Sequence, residues 1–130
     1  MGRYAIMPES YVTNHTEKGD ISISEDVIAL MVSAAVSEIE GVSGLSNPTS
    51  TDLAERFGLK NAARGIKISS EGDVLTVDIA IMVRYGYGVT VTAKKIQEQA
   101  AAGVESMTGL AVRVNVHVTG IAFDKADMKG

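Results

Sequence analysis

The clearest pattern in the chain is an amphipathic helix followed directly by an alternating strand, between Val89 and Val118. Apolar residues recur at spacings of three and four, which places them on one helical face. Those residues are Ala93, Ile96, Ala100, Gly103, Val104 and Met107. Thr92 is the expected N-cap, with Thr90 as the alternative, because a threonine hydroxyl can accept from the unpaired amides of a first helical turn. Gly109 is expected to end the helix in a left-handed conformation.

The strand that follows alternates strictly between apolar and polar positions. One set consists of Leu110, Val112, Val114, Val116 and Val118. The other set consists of Ala111, Arg113, Asn115, His117 and Thr119. A period of two indicates a half-buried strand. We expect the helix to cover the valine side and the polar side to face solvent or a partner.

A similar unit lies nearer the start of the chain. A short strand over residues 19–23 leads into a helix that Ser24 is expected to cap and Gly41 to end. Aligning Ser24 with Thr92 places Gly41 opposite Gly109. This agreement predicts a weak internal strand–helix–strand repeat.

A hairpin is expected between the two units, with strands over residues 65–70 and 74–84 joined by a turn at Gly72. The core-facing positions of its second strand are Leu75, Val77, Ile79, Ile81 and Val83. The opposite positions are Thr76, Asp78, Ala80 and Met82. The fold class is therefore α/β, of the α+β type, with a mixed, mostly antiparallel sheet of four or five strands and two longer helices on one face.

We expect a single domain over residues 19–123, between a disordered tail at 1–18 and a frayed end at 124–130. Within the domain, residues 42–46 are expected to form a short strand. Between residues 47 and 64 we expect a turn, a short helical segment and a loop.

Composition excludes several classes of function. The 130 residues are 45% hydrophobic and carry a net charge of −4, with no basic run, so nucleic acid is a poor partner. The chain has no cysteine, which excludes disulfides and thiolate chemistry and fits a reducing cytoplasm. No apolar run approaches the roughly 20 residues that span a bilayer, so direct membrane insertion is not expected.

The loop Tyr85, Gly86, Tyr87, Gly88 joins a strand to a helix N-terminus, a geometry that can bind an anion through backbone amides. It lacks the lysine of a P-loop and the spacing of a dinucleotide-binding turn. We favour a connector whose glycines permit a sharp turn, with a small anionic ligand as the alternative.

The polar side of the sheet is the second candidate site. Its members are Asp78, Met82, Ala111, Arg113, Asn115 and His117. The sequence shows no recognisable nucleophile, paired carboxylates, cofactor motif or metal-ligand spacing, so we predict no catalytic, cofactor-binding or metal-binding residues and no enzyme. We interpret this surface, or an open strand edge, as a site for self-association or for a protein partner.

Three segments resemble the alkaline-shock (general stress) protein family of Gram-positive and related bacteria. They are ISEDVIALMVSAAVSEIEGV, GIKISSEGDVLTVDIAIMVRYG and IQEQAAAGVESMTGLAVRVNVHVTGIAF, and the match covers roughly residues 19–123. The most specific part is Met107-Thr-Gly-Leu110 followed by Val114-Asn-Val-His-Val118. Family members often carry proline where the second helix begins, whereas this chain has Thr90-Val-Thr92.

The resemblance implies a cytoplasmic, non-enzymatic protein of the cell-envelope stress response. Some members of the family form large assemblies held at the inner face of the membrane by a small membrane-anchored partner, and others are connected with lipid metabolism. We therefore expect a homo-oligomeric scaffold docked on such a partner. A small-ligand-binding or metabolic regulatory protein is the alternative. Asn115 and His117 match the family signature, which assigns them no role.

If the polar side of the sheet mediates assembly, a variant with Arg113→Glu and His117→Glu should assemble less, because both changes place negative charge in the contact. Size-exclusion chromatography of the purified variant checks this. Normal assembly and partner binding would remove the surface from consideration.

Overall fold

The computed structural model describes residues 11–46 and 65–124 of the chain. Within them the elements are β1 (Tyr11–Thr16), β2 (Gly19–Ser24), α1 (Glu25–Ser37), β3 (Val42–Leu45), β4 (Ile66–Glu71), β5 (Val74–Arg84), α2 (Val89–Thr108) and β6 (Ala111–Ala122). The predicted α+β fold, with two helices and a mostly antiparallel sheet, is confirmed. The turn, short helical segment and loop predicted between residues 47 and 64 lie outside the described residues, as do residues 1–10 and 125–130.

Strand β5 is the centre of the main sheet, because three other strands pair with it. β4 pairs antiparallel with its first half and β3 antiparallel with its second half. Between them, the Ala80 amide donates to the Gly65 carbonyl at 2.8 Å, and the Ala80 carbonyl accepts from the Ser46 amide at 2.9 Å. The N–H and C=O of one strand residue point to the same edge, so β3 and β4 lie end to end along one side of β5. β6 takes the other side, in parallel.

Both helices cover the same face of this sheet and form the core with it. The inward residues of β5 are all fully buried, as predicted: Leu75, Val77, Ile79, Ile81 and Val83. The two helices pack their buried residues against this face. These residues are Ile28, Val32 and Val36 of α1 and Ile96, Ala100 and Val104 of α2. β6 contributes Val114, 8% exposed, whereas its other valines are half-buried because β6 lies at the edge of the sheet among the described strands.

The helix ends differ in part from the prediction. Ser24 caps α1 as expected, and its hydroxyl accepts from the Asp26 amide at 3.1 Å. In α2 the N-cap is Gly88, so Thr92 lies inside the helix and is buried. The threonine prediction was wrong because the helix extends one turn further back than its apolar stripe. Gly109 ends α2 in the left-handed region, as predicted, at φ 73°.

The first helix ends earlier than predicted, with its C-cap at Glu38 rather than at Gly41. The repeat therefore holds only in the order of elements along the chain. β5 and β6 pair with each other around α2, whereas β2 pairs with β1 and β3 pairs with β5. The two units share a strand–helix–strand order, but that order does not determine which strand each of their strands pairs with.

The prediction of a disordered tail over residues 1–18 was wrong for the part of it that the structure describes. Residues 11–16 form β1, which pairs antiparallel with β2 over six residue pairs. Val12 is 2% exposed and joins the core, and the Asn14 amide donates to the Thr108 carbonyl at 2.8 Å. A single buried valine gives too weak an alternation to show this strand in the sequence.

Gly109→Ala should destabilise the protein more than Gly72→Ala. Both glycines have positive φ, 73° and 62°, where a side chain costs roughly 1–2 kcal/mol. A Cβ at residue 109 would also lie 2.9 Å from Asn14 Nδ2, whereas one at residue 72 would meet nothing within 4 Å. Urea unfolding of the two variants measures the difference. Equal losses would show that the Asn14 contact contributes little.

Candidate interaction surfaces

Asp78 lies at the centre of a polar cluster on the sheet face opposite the helices. The parallel register places Asp78 beside Asn115 and Ala80 beside His117. Asn115 Nδ2 donates to Asp78 Oδ1 at 3.1 Å, and His117 Nε2 lies 3.2 Å from the same oxygen. Asp78 is only 7% exposed, so its carboxylate is held by neighbouring side chains as a buried acceptor.

The alternation in the sequence placed Asp78, Asn115 and His117 on one side of the sheet, but it predicted neither the contacts between them nor the burial of Asp78. The prediction placed Asp78 and Ala80 on a face open to solvent or to a partner. In the structure Ala80 is fully buried and Asp78 nearly so, whereas Arg113 and Asn115 of β6 are exposed. Alternation in a sequence separates the two faces of a sheet but does not show how the side chains of one face shield each other.

The other two predicted members lie toward the ends of this face. Ala111 stands beside Val74 at the start of the parallel ladder. Met82 lies near its far end, where its sulfur is 3.6 Å from Thr119 Oγ1. The Thr119 hydroxyl is also 2.6 Å from the Ser46 hydroxyl. The six residues therefore follow the ladder without converging on one point.

The chemistry available to the cluster is limited. Among residues 11–46 and 65–124, no three histidine, cysteine or acidic side chains come together as a set that could hold a metal ion. The Asp78 carboxylate already accepts from an amide and contacts an imidazole. These contacts form a side-chain link between β5 and β6.

The loop from Tyr85 to Gly88 has the form of a connector. The Tyr85 amide donates to the Ala122 carbonyl at 2.9 Å, and the Tyr87 amide donates to the Arg84 carbonyl at 3.2 Å. Those amides are therefore not directed at an anion. The Tyr85 ring packs on Phe123 with centroids 4.9 Å apart, and both residues remain about half exposed.

The outer face of α1 is a surface that sequence reasoning missed. We define it by Val27, Leu30 and Ala34, which are all exposed, Val27 by 50% and Leu30 by 71%. The sequence carried a signal, since no charged residue occurs between Val27 and Ser37. A helix that is apolar on every side is normally buried on every side.

A groove runs beside that face, between the two antiparallel helices. Met31 of α1 packs on Gly103 of α2, where an added Cβ would lie 3.1 Å from the Met31 sulfur. Further along, a cleft is lined by Ala35, Glu38, Ile39, Glu40, Lys95 and Gln99. The close approach of the two helices therefore favours glycine at this position inside α2.

Comparison with known proteins identifies relatives over most of the chain. Residues 13–123 match the alkaline shock protein 23 family, described by a cell envelope-related function. The uncharacterized protein YqhY of Bacillus subtilis (strain 168) is 32% identical over 110 residues, covering 84% of this chain and 82% of that protein. YloU of the same strain is 32% identical over 109 residues, covering 82% of this chain and 91% of that protein. Spy1614 of Streptococcus pyogenes serotype M6 is 33% identical over 110 residues, with coverage of 82% and 91%.

Among solved structures, the chain is similar to variants of the MamM CTD. The M250L variant gives a TM-score of 0.46 at 16% identity, covering 74% of this chain and 96% of that one. The H264E variant gives 0.46 at 16% identity, with coverage of 74% and 94%. Separately, none of the helices in the described part of the chain combines the length and apolar character needed to cross a membrane.

Asp78→Ala should lower the free energy of unfolding by about 2–3 kcal/mol, because it removes a buried acceptor of two hydrogen-bonding side chains. The matched control is Asp20→Ala. Asp20 also contacts a histidine, His15, at 2.7 Å, but the two side chains are 59% and 75% exposed. The control should change stability by no more than about 0.5 kcal/mol. Chemical denaturation of both variants decides the matter, and similar losses would contradict a structural role for the buried cluster.

Proposed function

Because the chain belongs to the alkaline shock protein 23 family, with its cell envelope-related function, we propose that it is a non-enzymatic scaffold of the envelope stress response. In this proposal it works at the cytoplasmic face of the membrane. It self-associates and docks on a small membrane-anchored protein partner. The family supports the connection to the envelope, and the surfaces of the molecule support the scaffold.

The observation that carries the proposal is the exposed outer face of α1. A leucine side chain contributes about 1.5–3 kcal/mol when it is fully transferred from water, and Leu30 is 71% exposed. Val27, Leu30 and Ala34 are three and four residues apart, so their side chains form one continuous apolar strip along the helix. Strips of this kind mark protein interaction sites on soluble domains.

The strip also indicates the kind of partner. Apolar side chains at positions i, i+3 and i+7 of one helix match the way an amphipathic helix docks on an apolar surface. Glu38 and Glu40 follow at the end of α1, and Glu38 is exposed. A partner helix with apolar residues along one face and a basic residue beyond them would complement this surface.

A small-ligand-binding regulator is the second candidate function. The cleft lined by Ile39, Lys95 and Glu40 offers a mixed apolar and charged surface. The positions predicted for a ligand in the sequence are less favourable, because the loop amides of Tyr85 and Tyr87 and the Asp78 carboxylate are already bonded.

The scaffold proposal predicts that Leu30→Glu releases the protein from membranes. In fractionated host cells, the unchanged protein should pellet with membranes and resist a high-salt wash, because apolar docking is insensitive to salt. The variant should move to the soluble fraction, since a buried carboxylate in the contact is strongly unfavourable.

Ala102→Glu is the matched control, because residue 102 is an exposed alanine on the outer side of α2. It adds the same charge away from the strip and should leave the protein in the pellet. Far-ultraviolet circular dichroism verifies that both variants are folded. A Leu30→Glu variant that stays in the membrane pellet would contradict docking through α1, and an unchanged protein that is wholly soluble would favour the regulator.

A further inference from the structure

Strand β6 has one edge that no other described strand covers. It is the longest strand of the sheet, twelve residues from Ala111 to Ala122. β5 occupies one of its edges, and within residues 11–46 and 65–124 the ladder with β5 is its only pairing. Uncovered strand edges present rows of amides and carbonyls that can pair with another strand.

The hydrogen bonds of Ala80 show which groups of β6 point outward. Ala80 directs its amide and carbonyl toward β3 and β4, so its odd-numbered neighbours in β5 direct theirs toward β6. Ile79 is the ladder partner of Val116. In a parallel ladder Ile79 therefore bonds to the residues on either side of Val116, which are Asn115 and His117. It follows that the backbone groups of Val112, Val114, Val116 and Val118 point to the free edge.

A side chain of α2 confirms this direction at one position. Gln97 Nε2 donates to the Val114 carbonyl at 3.1 Å, from the side of β6 that faces away from β5. The strand contains neither proline nor lysine, two residues that commonly protect edges. Its bulge lies near Thr119, beyond the four valines. Within the described residues, the Gln97 side chain thus occupies one outward carbonyl of this edge, and another strand can pair there once that side chain is displaced.

We propose that the free edge of β6 pairs with the same edge of a second copy, in antiparallel orientation about a two-fold axis at Asn115. This names the self-association surface of the proposed scaffold and rests on that function. Val114 pairs with the partner subunit's Val116, and Val112 pairs with the partner subunit's Val118. The backbone groups of these four residues form the new hydrogen bonds, and the two sheets become one.

Charge and side-chain chemistry favour a second copy as the occupant. On the helix side of the sheet, valines face valines across the new ladder. On the opposite side, Asn115 faces the partner subunit's Asn115, and exposed Arg113 faces the partner subunit's His117. His117 lies 3.2 Å from the Asp78 carboxylate, so the guanidinium approaches a site that contains an acidic side chain. The same strand supplies both halves of each pair, as a two-fold contact requires.

The test uses single cysteines, because the natural chain contains none. In the proposed register Asn115 meets its own counterpart in a non-hydrogen-bonded pair, with Cα atoms about 4.5 Å apart. That separation suits a disulfide. Purified Asn115→Cys should therefore form a covalent dimer under mild oxidation with glutathione disulfide, seen on a non-reducing gel.

Arg113→Cys is the matched control on the same face of the same strand. Its counterpart would lie four residues further along, roughly 13 Å away at 3.3 Å per residue, which is beyond disulfide reach. The proposal expects cross-linking at least tenfold faster for Asn115→Cys than for Arg113→Cys. Equal rates, or no dimer from either variant, would overturn it.

A backbone variant tests the edge itself. Val116→Pro removes an outward amide and leaves the ladder with β5 intact, whereas Val116→Thr keeps that amide. Only the proline variant should abolish the cross-link when each is combined with Asn115→Cys, and an undiminished cross-link would overturn pairing through this edge. Membrane pelleting of the proline variant should persist, because docking through α1 does not use β6, so the two proposals fail separately.

Discussion

The fold depends on the backbone of Ala80, which joins two strands to a third. Its amide and carbonyl bond to Gly65 and Ser46, and they hold the ends of β4 and β3 together along one side of β5. With that side complete, β6 has only the other side of β5 on which to pair. β6, which follows α2 in the chain, is therefore the edge strand among the described strands. The backbone groups on its outer side point away from β5.

The same arrangement explains why the molecule presents two different surfaces. Both helices cover one sheet face, and α1 uses only one side for the core, so its opposite apolar side stays exposed. β6 leaves an edge rather than a face. One surface offers apolar side chains and the other offers backbone hydrogen bonds. The proposed scaffold uses two independent contacts of this kind, one for copies of itself and one for the proposed anchor.

Much of the fold could be predicted from the sequence because its signals are local and periodic. The five inward residues of β5, the alternation in β6 and the left-handed stop at Gly109 all follow from spacing and glycine chemistry. The start of α2 was misplaced because its first turn, from Val89 to Val91, is exposed and outside the apolar stripe. Strand β1 was missed because pairing with β2 and the Asn14 bond to α2, rather than its own pattern, hold it in place.

The candidate sites were harder to predict, because the exposure of each residue depends on which side chains of other elements pack against it. Asp78, Asn115 and His117 were expected on one side of the sheet because of the alternation in their strands. Their contacts follow from the parallel register of β5 and β6, which that alternation does not specify. The burial of Asp78 could not be predicted, because side chains of the neighbouring strand β6 pack against it. The outer face of α1 was visible only as a run without charge, which the sequence alone does not distinguish from a helix buried on all sides.

Sedimentation velocity of the purified 130-residue chain over a range of concentrations measures directly whether the protein self-associates. A self-associating scaffold predicts that dimers or larger species replace the 13.7 kDa monomer as concentration rises. A single monomeric species at every concentration up to the millimolar range would contradict it.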